Sequence, residues 1–154
     1  MTTDVSCRLL EVDYAGIEAV LTGWYLWRHL GDTQGGHQYI RLAKLGIHAA
    51  VAAIAVGKPA DFSQSDAELG AYLKHIKQEH PAAYTKSKRL VHAKNYGQTV
   101  YGAVELGLFA TIKEAQAFEA YYYSLAPKLP EWHTVLQQRA KAIGYLGGSG
   151  TTSL

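Results

Sequence analysis

Two stretches of this sequence set reactive side chains at spacings that suit chemistry on a phosphorylated substrate. The first is Asp13-Tyr14-Ala15-Gly16-Ile17-Glu18, where one acid closes the apolar run Cys7 to Asp13 and a second lies just inside the following element. A carboxylate at a strand end beside a tight turn can hold magnesium, which takes one or two protein carboxylates and leaves its other positions to water and phosphate oxygens. The same residues also fit a plainer role, with Asp13 capping a helix and Glu18 favoured by the helix dipole in its first turn. The second stretch is KRLVHAKNYG, in which Lys88, His92 and Tyr96 are spaced by four and Gly97 follows. At 3.6 residues per turn such positions drift by only about 40° per step, so a cation, an imidazole and an aromatic ring share one helix face. That face suits a triphosphate at the cationic end and a stacked base at the aromatic end. A solvated basic face on an amphipathic helix is the alternative.

The elements that must position these residues can be read from periodicity. Cys7 to Asp13 fits a short buried strand, and from Gly16 to Leu30 apolar residues recur at three and four until GDTQGG stops them. A second helix fits Gln38 to Val56, and Asp66 is a plausible N-cap for a third over Ala67 to Lys77. Pro81 opens a helix to about Asn95 that carries Lys86, Lys88, Arg89 and Lys94, the most basic stretch of the chain. Three further helices are expected: Val104 to Phe109, Thr111 to Leu125 on a Thr-x-x-Glu capping box, and Glu131 to Ile143 before a flexible-looking tail.

Composition bounds the rest. The 154 residues suit one domain or part of one, and 48% hydrophobic with 18% charged residues predicts a packed core. A net charge of +2 does not by itself announce a nucleic-acid binder. The single cysteine, Cys7, excludes an internal disulfide and a multi-thiolate zinc site, and points to a reducing, cytoplasmic location. No run is long enough to span a bilayer, so no membrane partner is expected. Eleven tyrosines hint at surfaces that stack on something. His29, His37, His75, His80 and His133 are read as lying on separate segments without a Glu or Cys partner at ligand spacing, so no structural metal site is expected from them. Trp24, Trp27 and Trp132 read as core or core-edge residues.

Taken together and in order, these stretches resemble the signature motifs of the family A DNA polymerases, the bacterial polymerase I group and its phage relatives. Asp13-Tyr14-x-x-Ile17-Glu18 resembles motif A, and Lys88-x-x-x-His92-x-x-x-Tyr96-Gly97 resembles motif B on the O helix of the fingers. Between them, Leu45-Gly46-Ile47-His48 is similar to the Asp-Ile-His segment, whose histidine approaches the incoming triphosphate. The resemblance covers roughly residues 7 to 146, with Glu114-Ala115, Tyr121 to Tyr123, Pro127, Trp132, Ala140 and Gly144-Tyr145 following in family order. It implies that Asp13 and the Tyr14 backbone carbonyl are metal ligands, that Glu18 lies under the incoming sugar, and that Lys88 binds the triphosphate and acts as general acid. It places His92 where the family has Phe or Tyr, and Tyr96 and Gly97 at the closing end of the site.

The implied fold is mostly α, an α+β fragment of fingers helices with one or two strands of an incomplete palm sheet. Residues 1–35 would be partial palm, 36–125 fingers, 126–146 a helix returning toward the palm, and 147–154 tail. The implied partners are a DNA primer-template, a dNTP and a separate chain carrying the remaining palm, with Mg2+ as cofactor. Several positions depart from the family: Ala15-Gly16 replaces Ser-Gln, Val20 replaces an arginine, and Tyr84 stands where a γ-phosphate arginine is usual. Lys86 or Arg89 could compensate, although Arg89 lies about 100° around the helix from Lys88. The chain also contains no His-Asp pair, so motif C and its aspartate are missing. Two-metal catalysis needs both carboxylates, and the isolated chain is not expected to extend DNA. A non-catalytic nucleic-acid-binding protein using the Lys86–Lys94 helix is the alternative reading.

Overall fold

The computed structural model describes residues 16–95 and 97–143, and the strand expected over Cys7 to Asp13 lies outside them. Among the described residues there are eight α-helices and no strand: α1 (Ile17–Leu30), α2 (Thr33–Leu45), α3 (Ile47–Ala55), α4 (Asp66–Glu79), α5 (Pro81–Asn95), α6 (Val100–Glu105), α7 (Ile112–Ser124) and α8 (Leu129–Ile143). The mostly helical expectation therefore stands, while the predicted palm strands are not seen among these residues. No helix among them is long and apolar enough to cross a membrane.

The centre of the fold is α3. Its sequence, IHAAVAAIA, is apolar nearly all round, and Ile47 and Ala49 through Ala53 are buried. A helix of this kind is stable only when surrounded, and α2, α4, α5 and α7 pack against it. The expected single helix from Gln38 to Val56 is instead two helices, because Gly46 adopts φ 136°, a conformation closed to other residues, and breaks the chain between α2 and α3. That break turns His48 into the first turn of α3 beside α5 rather than along the axis of α2.

The segment GDTQGG, expected only to stop α1, does more. Asp32 caps α2 by accepting from the Gly35 N–H at 2.9 Å, so α2 begins at Thr33. Gly36 then faces Gly23 of α1 so closely that a Cβ on Gly23 would lie 2.8 Å from the Gly36 carbonyl oxygen, and one on Gly36 would lie 2.6 Å from that of Gly23. Side-chain-free positions on both helices let α1 and α2 meet backbone to backbone.

Other boundaries move by local chemistry. Ser65, not Asp66, caps α4, in a reciprocal capping box with Glu68. Thr99 caps the sixth helix at Val100, four residues ahead of the expected start. At Thr111 the hydroxyl accepts from the Glu114 N–H as anticipated, but the Glu114 carboxylate turns to the Ala110 N–H and to Lys86. Two tyrosines that read as stacking surface are core: Tyr39 and Tyr122 are fully buried, with hydroxyls 2.7 Å apart. Trp132 is buried as expected and stacks on Tyr25 at 4.6 Å, whereas Trp24 is 40% exposed on α1.

Candidate functional site

The site residues named from sequence do not all fall in one place. Asp13, Tyr14 and Tyr96 lie outside the described residues. Glu18, His48 and His92 lie together, lining one cleft of about 420 Å³ between the first turn of α1, the α2–α3 break and the last turns of α5. Gly16 forms its edge, and a left-handed Gly16 (φ 68°) occupies the N-cap of α1, the position that a capping role for Asp13 would need.

Each side chain is delivered by a different element. Glu18, in the first turn of α1, sets Oε2 3.5 Å from His92 Nδ1, a contact that becomes an ion pair when the imidazole is protonated. His92 lies on α5 one turn after Lys88, and its ring centroid is 5.2 Å from that of His48 with the planes tilted by 39°. His48 is partly covered and its Nδ1 is buried with no hydrogen-bond partner among the described residues. Burial first, then His92 and Lys88, push the His48 pKa down to about 4, so at neutral pH it is an uncharged imidazole with an unmet ring nitrogen. A buried polar atom without a partner is costly, and this one belongs to a ring that lines the cleft.

Lys88 is exposed and lines an adjoining groove with Tyr84, Thr85, Arg89, His92 and Leu108. His92 lies on both surfaces and joins groove to cleft. Arg89, judged from helix geometry to point away, reaches the same groove, which its long side chain permits. Lys86 is engaged by Glu114 and is no substitute for the missing arginine. Tyr84 lies edge-on to His48 with centroids 6.1 Å apart and carries the Lys77 ammonium 5.1 Å from its own ring centroid. A cation thus stands beside the Tyr84 position after all, supplied by α4, an arrangement that no spacing within α5 could have indicated.

The basic cluster of α5 is accordingly split. Lys86 and Lys94 are committed to Glu114 and Glu119, with Lys94 buried, while Lys88 and Arg89 stay at the surface. The four cations therefore do not form one continuous solvated face. Gly97 is also not in the cleft: at φ 75° it ends α5 and lines a neighbouring cavity with His133 and Leu136.

Lys94 belongs to a buried polar group behind the cleft. Burial pulls its pKa down, but hydrogen bonds to Glu119 and Tyr123 outweigh this and raise it overall. His133, which stands 3.3 Å from the Tyr123 hydroxyl, is pushed down to about 4 by burial and by Lys94, against Glu119. His75 and His80 each lie within 3.4 Å of Glu79, so the separation of the histidines from acidic partners read from sequence does not hold there. Even so, no group of three or more ligating side chains that could hold a metal ion occurs among the described residues. The cleft's own donors, one carboxylate, one amide and two imidazoles, are not the all-oxygen set that magnesium prefers, and the magnesium expectation rests on Asp13 and Tyr14.

Asn95 also lines the cleft and was not singled out by the sequence, although it lies three residues after His92 on the same helix face. No family model, curated protein or solved structure matches this chain.

Proposed function

We propose that this chain grips a nucleoside triphosphate, as the fingers and partial palm of a template-directed DNA polymerase of the family A type. One observation carries the reading: Glu18, His48 and His92, three residues from three motif-like segments far apart in sequence, line a single cleft. Residues that merely resembled motifs by chance would have no reason to converge.

In this reading Lys88 and Arg89 meet the phosphates at the open groove, where exposed cations are free to follow a mobile polyanion. His92 bridges groove and cleft, between Glu18 and the phosphates of the ligand. His48, held uncharged, lines the cleft without adding a charge to it. Glu18 excludes a sugar hydroxyl by occupying the mouth of the cleft beside His92. Asp13, three residues before Gly16 in the chain, supplies the first catalytic carboxylate. The second comes from a palm segment outside this sequence, which acts with it on a DNA primer-template.

Primer extension tests this directly. Magnesium-dependent extension should be undetectable with the chain alone, appear when a palm segment bearing the second carboxylate is supplied, and disappear on Asp13→Ala. Extension that survives Asp13→Ala contradicts the assignment.

A further inference from the structure

Lys88, His92 and Asn95 lie on α5 at steps of four and three, which confines them to a sector of about 60° and spaces Lys88 from Asn95 by about 10 Å along the axis. A ligand whose phosphates meet Lys88 and whose middle passes His92 would bring its other end to Asn95. The cleft wall includes the aliphatic side chains of Ala19, Ala43 and Val91 as well as Lys44. Asn95 is the polar side chain that α5 presents beyond His92, and it is held from behind.

The Tyr122 hydroxyl donates to Asn95 Oδ1 at 3.2 Å, and the Tyr122 oxygen lies 2.7 Å from the Tyr39 hydroxyl. Each hydroxyl has one proton. With the Tyr122 proton committed to Asn95, the hydrogen bond between the tyrosines runs from Tyr39 to Tyr122, so the chain of donors has one direction. Both tyrosines are fully buried, and burial raises both pKa values, so neither proton is released near neutral pH. One lone pair of the Asn95 amide oxygen is thereby taken and the amide is oriented by it, which leaves both of its N–H donors available.

We propose that Asn95 is a binding residue of the cleft that distinguishes a nucleotide from bare phosphate by donating to an acceptor atom of the nucleobase, a ring nitrogen or a carbonyl oxygen, and that Tyr122, backed by Tyr39, is the positioning residue that fixes its amide. This rests on the nucleotide reading given above. A ligand lacking a base leaves the amide donors unpaired and binds less well.

Isothermal titration of the full chain in magnesium buffer, with dCTP and with inorganic tripolyphosphate as probes, separates the claims. Asn95→Ala should weaken dCTP binding by about three- to ten-fold, the worth of one net hydrogen bond, and leave tripolyphosphate unchanged. Tyr122→Phe should weaken dCTP in the same sense, and the double variant should match Asn95→Ala alone because Tyr122 acts only through the amide. Thermal melts check that each variant folds; should Tyr122→Phe not fold, Asn95→Leu keeps the volume, removes the amide and must still lose dCTP selectively. Unchanged dCTP affinity in Asn95→Ala, with Lys88→Ala weakening both probes, overturns this inference and leaves the nucleotide reading standing. Additive losses in the double variant overturn the positioning role. Failure of the unaltered chain to bind either probe overturns both.

Discussion

His48 shows how a fold can make an ordinary residue unusual. A histidine in the first turn of an exposed helix titrates near 6.5, but at this break between α2 and α3 burial, with His92 and Lys88 close by, holds it down to about 4. The ring should therefore stay neutral from pH 7 to pH 5 and titrate only near 4, as followed by its ring nitrogen shifts in NMR. His92→Ala removes the secondary influence and should raise the value slightly, with burial keeping it well below 6.5. A midpoint near 6.5 in the unaltered protein would mean that the ring is solvated and the cleft is not closed around it. The identity of His48, His92 and Glu18 as candidates was legible in the sequence because residue type and order are what a motif records. The Lys77–Tyr84 and Tyr122–Asn95 contacts were not, because each joins helices whose packing no local spacing specifies.

At the scale of the element, the α1–α2 pair makes the sharpest prediction. Gly23→Ala would put a Cβ 2.7 Å from the Ile40 side chain and 2.8 Å from a carbonyl oxygen, and neither the backbone nor a packed branched side chain can yield cheaply. Urea denaturation should show a loss of about 2–4 kcal/mol. Gly70→Ala is the matched control: it lies inside α4, where a Cβ meets only Leu45 at an ordinary 3.6 Å, and the substitution should stabilise by about 0.5–1 kcal/mol through helix propensity. Equal effects at the two sites would contradict the close crossing. Helix existence was readable from periodicity for α1, α4, α5, α7 and α8, since each keeps an apolar stripe against the core. The break at Gly46 was hidden because the apolar pattern runs through it, and the start of α2 was hidden because GDTQGG reads as a breaker unless Asp32 is seen to cap it. The three glycines of α1 and α2 that look like weak helix formers include two whose missing side chains make the crossing possible.

For the whole molecule, two histidines beside α5, the partly covered His48 next to His92 and the buried His133 near Lys94, set the response to acid. His48 and His133 resist protonation until about pH 4 when folded, while in the unfolded chain they take a proton near 6.5. Their contribution is complete above 6.5, falls as pH drops through the window from 6.5 to about 4, and is exhausted below it. Glu79 and Glu114, held below their ordinary 4.5 by Lys58 and Lys86, add their losses only at the lower end of that window. Urea midpoints should therefore decline between pH 6.5 and 4.5, less steeply in His133→Gln; a flat profile there would contradict the burial of both rings. The convergence of the sequence motifs on one cleft remains the feature on which the functional account depends. It is tested most directly by following the histidine ring resonances of the full chain while a dNTP with magnesium is added. The account predicts saturable shifts of His48 and His92 together, with His37 and His133 unmoved; shifts absent from both, or confined to His133, would contradict it.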